Sequence, residues 1–76
     1  VEPDLRIDLR GQVCPMNFVR IKLALDSLGP GNLLLARIDP GLVAADLERS
    51  LTVQGYRVHY RRESAGSAEI AVSRLE

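Results

Sequence analysis

The 76-residue chain has no tryptophan, a single cysteine and a single histidine, and each of these shortages excludes something. One cysteine closes no internal disulfide, and one cysteine with one histidine falls short of the three or four ligands a zinc site takes from one chain. A disulfide scaffold, a zinc module and a resident cofactor are therefore not expected. No apolar run is longer than that from Leu33 to Ala36, far below the roughly 18 residues of a membrane helix. The N-terminal residues also lack the basic and then apolar pattern of a secretory leader, so a cytoplasmic chain with no membrane contact is expected. Because the first residue is Val1, a processed chain and a domain cut from a longer polypeptide both stay open. Ten basic side chains balance ten acidic ones. Non-specific affinity for nucleic acid comes from net phosphate neutralisation, so direct nucleic-acid binding is not expected unless a local basic patch supplies it. A domain near this size buries only about 60% of the surface its unfolded chain exposes. Its core is thin, and any chemistry must lie near the surface.

What is present is a regular alternation of short elements. Leu5, Ile7 and Leu9 alternate with Arg6, Asp8 and Arg10, the period of a half-buried strand, and Gly11 ends it. Pro15 is suited to be the first residue of a helix, which runs to about Leu28 before Gly29-Pro30-Gly31 stops it. At 100° per residue Phe18, Ile21, Leu25 and Leu28 fall in one sector, the predicted core face. A second strand is read over 32–38. Asp39-Pro40-Gly41 then turns into a second helix through Val43, Leu47 and Leu51, ending near Gly55. Tyr56, Val58 and Tyr60 alternate with Arg57, His59 and Arg61 in a third strand. After a turn at Ala65-Gly66-Ser67, Ile70 and Val72 mark a fourth. The order β-α-β-α-β-β predicts an α/β (α+β) two-layer sandwich, a four-stranded mixed sheet with both helices on one face. Residues 4–74 read as one unit.

Cys14 stands where the loop Asp8-Leu9-Arg10-Gly11-Gln12-Val13 becomes a helix, at the N-cap if Pro15 is the first helical residue. First-turn N–H groups without intrahelical partners and the positive end of the helix dipole favour a thiolate there, which is the nucleophilic form. Arg10 is near enough in sequence to add positive potential. Such a thiolate can take sulfur from a sulfur electrophile, hold it as a persulfide and pass it to another thiolate. The competing assignment is a small buried hydrophobe, the commoner fate of a free cysteine. Pro15, Gly11 and the predicted helix start favour the reactive one.

With Asp8-Leu9-Arg10-Gly11, Cys14-Pro15, the helix to Leu28, the Gly31 turn, Asp39-Pro40, Asp46 and Gly55-Tyr56, the chain resembles the TusA/SirA family of small sulfur-carrier proteins over nearly its whole length. The resemblance implies a single sulfur-carrier domain over residues 1–76, with Cys14 carrying the persulfide. It implies a cysteine desulfurase or a rhodanese-like protein as donor, and a sulfur-acceptor protein serving tRNA thiolation, molybdenum-cofactor assembly or sulfur metabolism. It further implies a sulfurtransferase that turns over only with its partners. The family's motif is usually Cys-Pro-x-Pro, and here Asn17 stands in place of the second proline. Asn17 can hydrogen-bond locally at the helix start instead.

Three further features carry expectations. Met16, Val19 and Leu23 form a second apolar stripe on the first helix, away from its core face. It serves a donor or acceptor protein, the second helix, or a weak homodimer. Asp39 and Asp46 match the family and are read either as partner contacts or, for Asp39, as turn chemistry before Pro40. Strand alternation puts Arg6, Asp8, Arg10, Arg57, His59 and Arg61 on the open sheet face and both tyrosines in the core. A non-catalytic module that binds RNA or an acidic protein through this cationic face is the alternative function. His59 has no orienting Asp or Asn at a suitable spacing to make a Cys-His pair with Cys14.

Overall fold

The computed structural model describes residues 3–13 and 15–74. Six elements follow in the expected order: β1 (Leu5–Asp8), α1 (Met16–Leu28), β2 (Leu34–Ile38), α2 (Leu42–Val53), β3 (Arg57–Ser64) and β4 (Ser67–Ser73). The strands form one sheet in the order β1-β2-β4-β3. β1 pairs with β2 in parallel, and β4 is antiparallel to both β2 and β3. β4 is thus inserted between β2 and β3, which run the same way.

Both helices cover one face of the sheet, because the residues they bury meet the same strand parity. Ile21 and Leu25 of α1 and Ala44, Leu47 and Leu51 of α2 pack with Leu34, Ala36, Ile38, Ala68, Ile70 and Val72. Phe18 and Leu28 flank this core as the helical period predicts, and Phe18 meets Tyr56 edge to face at 6.2 Å. In α2 the buried position is Ala44, with Val43 half-buried, because the 44–47–51 spacing and not 43–47–51 faces the sheet. Leu9 is buried just beyond β1, its N–H donating to the Arg37 carbonyl. Leu5, on the edge strand, is exposed. Asn32 does not extend β2. Its side-chain amide donates to the Leu28 carbonyl and closes the end of α1.

The largest departure from simple alternation lies in β3. The register slips between Val58 and Tyr60, so that Val58 faces Val72 and Tyr60 faces Ala71. One extra residue, His59, reverses the parity of everything after it. Arg61 is thereby carried from the open face to the helix side, where it pairs with Glu48 of α2 at 3.0 Å. Tyr60 takes its place on the open face, with Arg62 stacked 5.0 Å from its ring. The core assignment of Tyr60 and the open-face assignment of Arg61 are both corrected by this bulge.

Candidate functional site

Parallel strands joined by helices bring their carboxyl ends, and the starts of the following helices, to one rim of the sheet. Here that rim gathers the loop 9–15 entering α1, the turn 39–41 entering α2 and the β3–β4 turn at Ala65 and Gly66. Cys14 belongs by sequence to the first of these loops. The residue itself lies outside the described residues.

The loop is held from both sides. The Asp8 carboxylate accepts from the Arg10 backbone N–H and takes the Arg10 guanidinium bidentately, its shortest contact being 2.7 Å. Gly11 adopts φ +86°, a left-handed conformation that glycine enters without strain, and its N–H donates to Asp39 Oδ2 at 2.9 Å. Asp39 therefore fastens the first loop to the end of β2. The Gly41 N–H donates to Glu63 Oε1, and Glu63 in turn lies 3.5 Å from Arg61.

The side-chain hydrogen bond from Arg10, with that from its backbone N–H, holds the Asp8 carboxyl well below its ordinary 3.8, at about 2. A depressed carboxyl contributes stability that is complete above its unfolded value and is lost as pH falls through the folded one. Thermal unfolding of the native protein and of Asp8→Asn should therefore differ most above about pH 4 and converge toward about pH 2. A difference that stayed constant across that window would show that the pair does not act through its charge. The same pairing means that Arg10 does not stand as a lone cation beside the loop.

α1 begins at Met16, one position later than the proline rule suggests. Pro15 is the N-cap, at φ −94° and ψ 0°, and its carbonyl already accepts from Val19. The first-turn N–H groups, expected to be free, are taken. Those of Met16 and Asn17 both donate to the Val13 carbonyl, and that of Phe18 donates to Asn17 Oδ1 at 2.7 Å. Asn17 makes the local hydrogen bond its chemistry suggests, yet it is only 1% exposed, on the same helix face as Ile21 and Leu25. Its Nδ2, and Gln12 Oε1 in the preceding loop, are buried without a hydrogen-bond partner among the described residues.

The apolar stripe is exposed as expected: Met16, Val19 and Leu23 all face away from the core. Two further apolar residues not singled out from the sequence are exposed at the rim. Val13 is 60% exposed and Leu42, the first residue of α2, is 80% exposed. Asp46 is exposed on α2.

The open sheet face is charged but largely compensated. Asp8 holds Arg10, and Arg37 lies 3.8 Å from Glu69 across a shallow depression also lined by Arg6 and Leu35. His59 meets Ser73 Oγ at 2.8 Å near the start of β3, at the opposite end of the strands from the rim. No helix among the described residues is long and apolar enough to cross a membrane.

Comparison with known proteins agrees with this architecture. The family model described as sulfurtransferase TusA matches residues 5–74, from the start of β1 to the residue after β4. A protein of Archaeoglobus fulgidus, provisionally named as a sulfur carrier protein, is 34% identical over 58 residues, which are 76% of this chain and 66% of that one. The chain thus spans about two thirds of that relative's length. The crystal structure of a SirA-like protein from Desulfitobacterium hafniense superposes with a TM-score of 0.72 at 30% identity, over 90% of this chain and 93% of the other. The match takes in every strand and helix together with the Asp8-Leu9-Arg10-Gly11 loop and Cys14-Pro15, and the chain belongs to the TusA sulfurtransferase family.

Proposed function

We propose that the protein is a sulfur carrier in which Cys14 accepts sulfane sulfur from a donor protein and delivers it to an acceptor. The Cys14 thiolate attacks the terminal sulfur of a donor persulfide, R–S–SH. The donor's S–S bond breaks, R–S⁻ departs, and Cys14–S–SH remains. A thiolate of the acceptor repeats the exchange and regenerates Cys14–S⁻. Each step trades one thiolate for another, so neither an oxidant nor a cofactor is required. The donor is a cysteine desulfurase or a rhodanese-like protein, and turnover needs both partners.

The family match over 5–74 carries this reading. It is supported by the exposure of the residues around Cys14 in sequence, Val13, Pro15 and Met16, at a rim where two helices begin. The reading is tested by intact mass after incubation with a cysteine desulfurase and cysteine. The expected result is a gain of roughly 32 Da, one sulfur, that maps to Cys14 and is removed by reductant. No gain, with a thiol that also resists alkylation, would mean an inert cysteine. The cationic-face alternative is less well supported. Arg61 has left that face, and Asp8 and Glu69 offset Arg10 and Arg37 on it.

The exposed stripe next to this cysteine suits it to seat the partner. Leu23→Glu introduces a charge on that surface without touching the core, so the fold should be unchanged. Sulfur transfer from the desulfurase, read as kcat/KM, is expected to fall about tenfold, the loss usual for a central apolar contact. Transfer at the normal rate by the folded variant would remove the stripe from the docking surface.

A further inference from the structure

The loop that leads to Cys14 is tied to the rest of the molecule at few points. At its start the Leu9 N–H donates to the Arg37 carbonyl of β2. Beyond Leu9 the bonds turn back on the loop and its own flanking elements. Arg10 N–H serves Asp8, Gln12 N–H serves the Leu9 carbonyl, and the Val13 carbonyl accepts from Met16 and Asn17 at the start of α1. Among the described residues one hydrogen bond alone carries this part of the loop across to a distant part of the chain. It runs from Gly11 N–H to Asp39 Oδ2 at 2.9 Å, over 28 positions.

Both ends of this bond are fixed. At Gly11 φ is +86°, and an added Cβ would meet nothing within 4 Å, so the backbone conformation and not crowding calls for glycine. Asp39 follows directly on Ile38, a wholly buried residue of β2, and β2 is hydrogen-bonded to a strand on each side. An aspartate in a turn commonly accepts from the backbone two residues on. Here that N–H, of Gly41, goes to Glu63 Oε1 at 3.3 Å instead, and Asp39 reaches the first loop. Turn chemistry before Pro40 therefore does not account for this carboxylate. Asp39 is also half-buried, with one oxygen already taken by Gly11.

We infer that Asp39 is a positioning residue for sulfur transfer, its carboxylate holding the loop that bears Cys14 through the Gly11 N–H and not serving as a contact for the partner protein. This rests on the sulfur-carrier reading and adds to it the group that keeps the loop in place. Each exchange joins two sulfurs borne by two proteins, so its rate depends on how well each is held when they meet. A loop freed at Gly11 spreads the cysteine over more positions and slows the transfer step. The apolar surface that seats the partner stays as it was.

The test compares Asp39→Ala, Asp39→Ser and Asp39→Asn in the full chain, with a cysteine desulfurase and cysteine as the sulfur source. Asparagine keeps an oxygen at the same reach, whereas serine keeps a polar turn residue whose oxygen lies closer to the backbone. At saturating desulfurase the rate of sulfur uptake should fall about tenfold in the alanine and serine variants and stay within about threefold of native in the asparagine variant. The dissociation constant for the desulfurase should stay within about twofold of native in all three. Exchange of the Gly11 N–H with deuterium should quicken in the alanine and serine variants and not in the asparagine one. If the alanine variant does not fold, serine against asparagine reads the same difference. Uptake at the native rate by the serine variant would overturn the assignment. So would equal failure of serine and asparagine with weaker binding, which would make the Asp39 charge a partner contact. A native protein that takes up no sulfur rejects the carrier reading as a whole, whereas native uptake that none of the variants alters rejects only the role of Asp39.

Discussion

Serine in place of Cys14 should leave the protein unable to take up sulfur. The native chain gains a reductant-sensitive mass of roughly 32 Da with a cysteine desulfurase and cysteine, and the variant gains none. The expected loss is total because the exchange needs an ionised, polarisable sulfur, and a hydroxyl is not ionised near neutral pH. The chain has no second cysteine to take over, so residual loading could not be ascribed to another thiol. The hydrogen bonds that start α1 run between Val13, Pro15 and residues 16–19, and none of them needs a sulfur atom. Circular dichroism and the unfolding midpoint should therefore be unchanged, within about 0.5 kcal/mol. A serine variant that still carries labile sulfur would remove Cys14 from the mechanism.

The second large effect concerns the fold that presents this loop. Leu47 is wholly buried on α2, within the core that the helices share with the sheet. Leu47→Ala should cost about 2–5 kcal/mol, the sum of lost transfer energy and the cavity left behind. At about 0.05–0.15 kcal/mol per residue, a chain of 76 residues has only about 4–11 kcal/mol in total. The substitution therefore removes a large share of the stability and can leave a marginal protein. Urea unfolding measures it as a lower midpoint at unchanged slope. Leu42→Ala, at a position 80% exposed, is the control and should change the midpoint by less than about 0.5 kcal/mol. Equal effects at the two positions would mean that α2 is not held by the core packing described above.

Much of the fold was legible because its signals are local. Gly29-Pro30-Gly31 and Asp39-Pro40-Gly41 punctuate the chain, and Phe18, Ile21, Leu25 and Leu28 recur at the helical period. The alternation in β1 and at the start of β3 has period two, and all six elements lie where these patterns put them, within one to two residues at most ends. The candidate site was legible to the same extent. The Asp-Leu-Arg-Gly loop, Cys-Pro and the outer stripe Met16, Val19 and Leu23 are contiguous or spaced along one helix. What was misread was whatever a single inserted residue or a distant partner controls. Nothing local marks His59 as a bulge, yet it exchanges the faces of Tyr60 and Arg61. Asp39 has an ordinary turn role in sequence, and its bond to Gly11 spans 28 positions.

The order and type of the elements, the two-layer arrangement and the position of the one thiol along the chain follow from backbone preferences and hydrophobic period over a few residues. The insertion of β4 between β2 and β3, the neutralisation of Arg10 by Asp8 and the burial of Asn17 with an unpaired Nδ2 came from the folded chain alone. Each of these depends on which groups compete for the same partner once the chain has closed on itself. A hydrogen bond or a face is assigned by that competition, and no spacing along the chain encodes its outcome.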